Sequence, residues 1–261
     1  MQTIRIETDP RGVATLWLAR EAKRNALSDR MIGELTEAAA IWGEEQRVRV
    51  VIFAAVGQVF CACGDLGWMR EQSAADRETR RRGATDLAMM LKALNDLPKP
   101  LIARVHGDAF GGGLGLMSVS EVVIAAAGAR FGLTEARLGL IPATIGPYVV
   151  ARMGEAKARR VFFSSRLFGA EEAEALGVVS RVVSPEGLSD VVEDEVRPFL
   201  ACAPGAVAEA TALVRRLGPA VGDSEIDVSI DALVERWESA EAHEGTAAFF
   251  DKRRAGWMPD R

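Results

Sequence analysis

Strands and helices alternate along roughly the first 185 residues, and the rest of the chain has helical patterns only. Residues 4–8 and 13–18 alternate apolar and polar side chains, with DPRG as the turn between them. The apolar stretches 48–55 and 101–105 predict buried strands. Four helices are predicted in the tail, at residues 186–200, 204–217, 224–242 and 244–253. This alternation is typical of an α/β fold, here with an appended helical region.

Composition limits the kinds of partner. A chain of 261 residues with 49% hydrophobic residues has enough material for one large core. The net charge of −5 argues against nucleic acid as the main partner. Three cysteines give no disulfide framework, and the first ten residues predict a strand rather than a signal peptide, so we expect a cytoplasmic protein. The most apolar window, 109–129, is interrupted by glycines and Glu121, which predicts a buried helix and strand and no membrane segment.

A run of glycines follows the strand at 101–105, in AFGGGLGLMSVS at 109–120. Glycines between a strand and a helix expose backbone N–H groups at the helix N-terminus, where a ligand can approach them closely. Such groups suit a phosphate or a developing oxyanion. The spacing matches neither of the common phosphate-binding motifs, which leaves the oxyanion. The alternative, that the glycines only permit close helix packing, is equally consistent with this stretch alone.

A second loop has the same design. FCACGDL at 60–66 also leaves a strand and enters a helix through a glycine, Gly64. Each loop could offer one N–H to the same carbonyl oxygen, and loss of one such donor typically costs ~3–4 kcal/mol of transition-state stabilisation. The pair therefore favours an oxyanion site over simple packing.

Six segments in order resemble one protein family. They are KRNALS (23–28), FCACGDLGWM (60–69), KPLIARVHGDAFGGGLGL (99–116), ARFGLTEARLGLIP (129–142), FGAEEAEALGVVSRVV (168–183) and EGTAAFFDKRRAGW (244–257). Over essentially its full length the chain is similar to the crotonase superfamily of enoyl-CoA hydratases and isomerases. The resemblance implies an α/β fold, a ββα superhelix, with a core at 1–200 and a C-terminal helical region at 201–261 that forms trimers or stacked pairs of trimers.

The same resemblance implies the ligand and its contacts. The substrate would be an acyl-CoA thioester, with no metal, no separate cofactor, no nucleic acid and no membrane. The N–H groups of Gly64 and Gly112 would hold the thioester oxygen as it becomes an enolate. The CoA moiety would lie along residues implied by position, namely Arg24, Ala26, Ala62, Asp65, Leu66, Phe249 and Lys252, the last two provided by a neighbouring subunit.

The family's hydratases of the best-known kind use two glutamates, and here those positions hold Gly115 and Glu135. A buried Glu135 would have a raised pKa and could act as both base and acid. One carboxylate permits hydration of a 2-enoyl-CoA and equally permits Δ3,Δ2-enoyl-CoA isomerisation. A non-catalytic CoA-binding protein is a third alternative. The stretch LGLIPATIGPYVVARMG (138–154) resembles the bacterial methylglutaconyl-CoA hydratase subgroup, which favours hydration of a short or branched acyl chain.

Other residues have weaker signals. An acyl pocket is expected from large apolar or aromatic side chains, namely Trp68, Met69, Phe131 and Tyr148. Cys63 replaces the glycine usual in the family and could tilt the Gly64 N–H, but no histidine nearby in sequence would activate it as a nucleophile. His106 is expected to be a packed, hydrogen-bonded residue. The arginines of DRETRRRGA (76–84) suit a solvated helix face, with attraction of CoA phosphates as the alternative.

Overall fold

The computed structural model describes residues 1–219 and 221–259. Six strands form the larger sheet in the order β1-β2-β3-β5-β7-β10. The strand β1 is antiparallel to β2, and the remaining neighbours are parallel. The strands are β1 (Ile4–Thr8), β2 (Val13–Leu18), β3 (Val50–Ala55), β5 (Leu101–Val105), β7 (Val122–Ala126) and β10 (Arg181–Val183). The strands predicted at 4–8, 13–18 and 101–105 are confirmed.

A smaller sheet is built from strands of two or three residues. Its order is β4-β6-β8-β9, with the first three parallel and β9 antiparallel to β8. The strands are β4 (Cys61–Ala62), β6 (Ala109–Phe110), β8 (Arg130–Gly132) and β9 (Phe168–Gly169). The chain passes from the larger sheet to the smaller one three times, from β3 to β4, from β5 to β6 and from β7 to β8. Each pass places one loop at the same edge of the smaller sheet.

Helices follow these strand pairs and cover the sheets. Ser28 caps the first helix by accepting a hydrogen bond from the N–H of Met31, as the sequence predicts. The helices are α1 (Asp29–Glu44), α2 (Leu66–Ala74), α3 (Arg77–Asn95), α4 (Gly112–Ser118), α5 (Gly146–Met153), α6 (Glu155–Phe162), α7 (Ala170–Leu176), α8 (Leu188–Ala201), α9 (Pro204–Leu217), α10 (Asp223–Trp237) and α11 (Ala240–Phe250). The helix and strand predicted within 109–129 are confirmed as α4 and β7, and none of the helices in the described ranges is long and apolar enough to span a bilayer.

Two predicted element boundaries are wrong. The tail helices at 224–242 and 244–253 divide instead at Ser239, whose hydroxyl accepts from the N–H of Ala242 and so starts a new helix. The strand-like stretch 177–183 is extended only over its last three residues, because Gly177 has φ +87° and ends α7. Ser239 caps the start of a helix and Gly177 caps the end of one. Hydrophobic periodicity does not detect such local caps.

The C-terminal helices fold back over the core of the same chain. Ile226, Ile230 and Val234 of α10 pack against Ala84 and Ala88 of α3. Helix α11 lies against a short 3-10 turn at Glu135–Leu138. Helices α10 and α11 therefore contribute to the closure of the interior, and the role of 201–261 in trimer formation stays a prediction.

The arginine-rich stretch 76–84 has three exposed side chains and one buried one. Arg77 pairs with Glu238, Arg81 with Asp231, and Arg82 with Glu78. Arg80 is buried, and its guanidinium donates to the carbonyl oxygens of residues 72 and 73 at 2.9 Å. The solvated-face interpretation is therefore wrong for Arg80, which satisfies the carbonyls at the end of α2.

Candidate active site

Three loops meet at one edge of the smaller sheet because its central strands are parallel and in register. Ala62 is paired with Phe110, and Phe110 with Gly132. Gly64 and Gly112 each follow their strand by two residues, and Glu135 follows its strand by three. All three line one cavity of about 80 Å³. Residues far apart in sequence are thus brought together by strand register alone.

Gly64 and Gly112 present backbone N–H groups to this cavity. Gly112 is the first residue of α4, and its N–H has no intrahelical acceptor. Over residues 1–219 and 221–259, neither N–H donates to a backbone carbonyl. Both N–H groups lie near the sulfur of Cys63 and act to lower the pKa of its thiol. Two donors from separate loops therefore converge on one small volume, which suits a developing negative charge on oxygen.

Glu135 is the carboxylic acid of the cavity. Its Oε2 is buried and has no hydrogen-bond partner within the described chain. Burial disfavours the ionised form and raises the pKa of Glu135 to about 7. A carboxyl group with this pKa can both accept and donate a proton near neutrality.

Gly111 holds these groups together. Its φ of +47° lies in the left-handed region that side chains rarely adopt. A Cβ at this position would stand 2.7 Å from Oε1 of Glu135 and would collide with Sγ of Cys63. The sulfur of Cys63 and the carboxylate of Glu135 therefore both lie close to where a side chain on Gly111 would begin, and only glycine leaves room for both.

Cys63 has φ +71°, a backbone conformation that glycine adopts more readily than a residue with a side chain. Burial raises the pKa of the Cys63 thiol to about 12, and the charge of Glu135 adds to the rise, against the opposing effect of hydrogen bonds from Gly112 and Gly64. The thiol is therefore neutral in the free protein.

Gly115, at the position of the missing first glutamate, has no room for a side chain. A Cβ there would stand 2.6 Å from Cγ2 of Ile145 and 3.5 Å from Cδ2 of Leu91. Ile145 thus fills the space on this side of α4. Glu135 is consequently the one carboxylate among the described residues that line the cavity.

The cavity wall is largely apolar and agrees only in part with the predicted acyl pocket. Trp68 and Met69 line it. Phe131 and Tyr148 do not. Phe131 is fully buried in the core against Phe168, because alternation along β8 turns it away from the loop edge. Tyr148 is buried on α5 and lines a separate cavity of about 300 Å³.

Several wall residues were missed by the sequence analysis. Their common feature is an apolar side chain on an element distant in sequence from the glycine loops. They are Leu27, Leu87, Leu140, Ile141, Pro142, Ala143, Ile145, Leu233 and Trp237, with the polar Thr144. Leu233 and Trp237 lie on α10, where the apolar face is visible in sequence but its target is not.

The expected CoA-contacting loop lies beside the Gly64 loop. The N–H of Ala62 donates to the carbonyl of Arg24 at 3.0 Å, and the N–H of Asp65 donates to that of Leu27 at 2.7 Å. Ala26, between them, is buried. These backbone hydrogen bonds hold the two segments side by side, whereas the sequence resemblance gave only their order along the chain.

Asp65 has a structural use of its own. Its carboxylate accepts from the N–H groups of Gly67 and Trp68 at the start of α2 and pairs with Arg20 at 2.9 Å. Burial alone would raise the pKa of Asp65, but these hydrogen bonds outweigh it and the pKa lies below its ordinary value. Its side chain is therefore engaged, and so is its backbone, whose N–H donates to Leu27 and whose carbonyl accepts from the N–H of Met69.

The remaining predicted residues lie at the surface. Leu66 and Phe249 are about half exposed, and Lys252 is exposed just after α11 with φ +54°. His106 donates from Nε2 to the carbonyl oxygen of Gly57 at 2.8 Å, as expected of a packed histidine. Within residues 1–219 and 221–259, no group of three or more His, Cys, Asp or Glu side chains is placed to hold a metal ion.

Two sheets linked by repeated strand–strand–helix units, with the backbone of Gly64 and Gly112 lining one cavity together with a buried carboxylate, are the features of this chain that an enzyme of acyl-thioester chemistry requires. The enoyl-CoA hydratase/isomerase family model matches residues 8–260, and the chain belongs to this family. The predicted crotonase fold is confirmed by solved structures: the chain has 32% identity and a TM-score of 0.80 with an enoyl-CoA hydratase of Mycobacterium smegmatis, over 98% of this chain and 99% of that one.

Two relatives show how varied the similar enzymes are. A 1,2-epoxyphenylacetyl-CoA isomerase of Escherichia coli K12 is 31% identical over 257 residues, covering 93% of this chain and 94% of that protein. A mevalonyl-coenzyme A hydratase of Beauveria bassiana is 30% identical over 268 residues, covering 95% and 92%. Both a hydratase and an isomerase are thus similar to this chain at about the same level.

Proposed function

We propose that the protein is a hydratase that adds water across the double bond of a short or branched 2-enoyl-CoA. The observation that carries the proposal is the buried Oε2 of Glu135, which lacks a partner and faces the same cavity as the N–H groups of Gly64 and Gly112. A base of this kind typically contributes ~100- to 10,000-fold in rate.

In the proposed reaction the thioester oxygen lies between the two N–H donors. Ionised Glu135 takes a proton from water as the water oxygen bonds to Cβ, and the electrons of the double bond move onto the thioester oxygen as an enolate. The N–H groups of Gly64 and Gly112 stabilise that charge. Protonated Glu135 then donates its proton to Cα. One carboxylate therefore performs both proton transfers, because its pKa lies near the working pH.

The size of the cavity supports a small acyl group. A volume of about 80 Å³, bounded by Ile145, Leu233 and Trp237, suits a chain of a few carbons better than a long fatty acyl chain. Methylglutaconyl-CoA is a candidate on the resemblance of 138–154. We further propose a cytoplasmic homotrimer or dimer of trimers, with CoA along the loops around Arg24 and Ala62.

The second candidate function is Δ3,Δ2-enoyl-CoA isomerisation. It is favoured by the single carboxylate, since one base can move a proton between two carbons without water. The side chain of Ile145 fills the space beside Gly115 where a second carboxylate would project. The similarity to a 1,2-epoxyphenylacetyl-CoA isomerase of Escherichia coli supports isomerisation of a CoA thioester in general and not a particular substrate.

A substrate panel distinguishes the candidates. Crotonyl-CoA is incubated with the protein, and the conjugated absorbance is followed together with the products. Loss of absorbance with formation of 3-hydroxybutyryl-CoA supports hydration. A stable crotonyl-CoA signal, combined with conversion of 3-hexenoyl-CoA into a conjugated product, supports isomerisation and overturns the proposal. Activity on neither substrate supports a CoA-binding protein without this chemistry.

The pH dependence should follow Glu135. Because only the ionised carboxylate can take a proton from water, kcat/KM should fall about tenfold per pH unit below about 7 and reach a plateau above it. Steady-state rates between pH 5 and 9 measure the profile. A profile flat down to pH 5 would contradict the assignment, since an ordinary glutamate titrates near 4.3.

A further inference from the structure

The thiol of Cys63 lies on a turn whose geometry is typical of a nucleophile. Cys63 follows β4 directly, has φ +71°, and precedes α2, which starts at Leu66. The next residue, Gly64, presents its N–H to the cavity. A side chain on a strained strand-to-helix turn, followed by a residue whose N–H is an oxyanion donor, is the arrangement of a nucleophile elbow.

A base is present beside this thiol. The Cys63 sulfur and Oε1 of Glu135 both lie against the backbone of Gly111, where a side chain would meet both. Oε2 of Glu135 is buried, lacks a partner and faces the cavity, which independently indicates a ligand or proton donor there. Among the described residues that line the cavity, Cys63 and Glu135 are the two that can titrate. The sequence alone suggested no base for this thiol, because Glu135 lies on a different loop.

The second oxyanion donor completes the arrangement. The N–H groups of Gly112 and Gly64 both act to lower the pKa of the Cys63 thiol, so both lie near its sulfur. A thioester oxygen held by these two donors requires the sulfur to move aside, and a rotation about the Cα–Cβ bond of Cys63 permits this movement. Side-chain rotations of this kind are fast compared with turnover.

We propose that Cys63 is the nucleophile of a second activity, the cleavage of small acyl-CoA thioesters through an acyl-enzyme. Glu135 takes the thiol proton as Sγ bonds to the thioester carbonyl carbon, and the charge on oxygen is held by Gly64 and Gly112. The bond from that carbon to the CoA sulfur breaks, and the leaving sulfur receives the proton from Glu135. Water then attacks the acyl-cysteine with Glu135 as base, which releases the carboxylic acid and restores the thiol.

This inference rests on the proposed binding of acyl-CoA at the same site, but it does not require a double bond. A saturated thioester cannot be hydrated, so its cleavage reports the second activity alone. The thiol is neutral in the free protein, and its attack therefore depends on proton transfer to Glu135 in the same step. This dependence explains why the carboxylate must lie beside the sulfur.

The experiment uses butyryl-CoA with the intact protein. Free CoA is measured by chromatography, and the protein is analysed by intact mass and peptide mapping for one butyryl group on Cys63. Cys63→Gly is the test variant, because glycine relaxes at positive φ and the fold is not put at risk. We expect CoA release to fall at least 100-fold in this variant and the butyryl group to be missing. Cys202→Ala, at an exposed cysteine after α8, is the matched control and should retain both signals.

Crotonyl-CoA is hydrated in parallel to separate the two proposals. Hydration without CoA release or a butyryl group on Cys63 overturns the inference and leaves the proposed function intact. CoA release that persists in Cys63→Gly, or a butyryl group found only on Cys202, also overturns it. Cleavage of butyryl-CoA without hydration supports the inference and overturns the hydratase proposal.

Discussion

Replacement of Glu135 by glutamine is expected to lower kcat for crotonyl-CoA hydration by about 100- to 10,000-fold, with a smaller effect on KM. Glutamine fills the same volume but can neither take a proton from water nor return one to Cα. The apolar walls around Trp68 and Trp237 and the N–H donors stay in place, so substrate binding should be largely retained. Steady-state kinetics at pH 8, where wild-type Glu135 is ionised, provide the comparison.

The stability of the same variant shows that loss of rate is not loss of fold. The folded state raises the pKa of Glu135 to about 7, so the buried carboxyl holds its proton more tightly than the unfolded chain does. Stability is therefore lost as pH rises from the ordinary value towards 7, by about 3 kcal/mol in total. Glu135→Gln should accordingly unfold at a higher temperature than wild type at pH 8, measured by calorimetry.

Glu171→Gln, at an exposed glutamate on α7, is the matched control for Glu135→Gln. It removes one carboxylate at the surface, and both rate and stability should stay close to wild type. A Glu135→Gln variant that hydrates crotonyl-CoA at the wild-type rate would show that another group transfers the protons.

Gly111→Ala is expected to lower kcat by about 100-fold or more and to destabilise the protein by about 2–5 kcal/mol. The added Cβ would collide with Sγ of Cys63 and stand 2.7 Å from Oε1 of Glu135, at a φ of +47°. Overpacking of this kind costs about 1–3 kcal/mol, and the left-handed backbone about 1–2 more. A displacement of about 1 Å at a catalytic group is enough for a 100-fold loss. Kinetics and denaturant unfolding measure the two effects.

Gly128→Ala separates the backbone effect from the collision. Gly128 has φ +89°, and a Cβ there would meet no atom within 4 Å. We expect a loss of about 1–2 kcal/mol in stability with kcat unchanged. If Gly111→Ala behaved in the same way, the close approach of Cys63 and Glu135 at this glycine would have no part in catalysis.

The positions of the four residues expected in the acyl pocket show what the sequence alone could not predict. Trp68, Met69, Phe131 and Tyr148 are all plausible pocket residues by type, yet only the first two line the Glu135 cavity. Whether the side chain of Phe131 points into the core or towards the cavity depends on how the three-residue strand β8 pairs with its neighbours. A strand that short has too few positions for alternation to reveal its orientation.

Cys63 is a second example, because the sequence did not predict its position beside Glu135. Its neighbours in the sequence provide no base, so the sequence alone predicts that Cys63 is not a nucleophile. Strand register then places it beside Glu135, and Gly111 permits the two groups to approach. Contacts between loops far apart in the chain determine this site, and no local pattern carries that information.

The sequence by itself determined the α/β class, the main strands, the cap at Ser28 and the family, because each of these depends on local periodicity or on motifs in fixed order. The tertiary structure decided the convergence of Gly64, Gly112 and Glu135, the buried and unpartnered state of Oε2, and the closure of the cavity by α10. The physical reason is that these features arise from the register of two- and three-residue strands and from desolvation by distant elements, which exist only once the chain has packed.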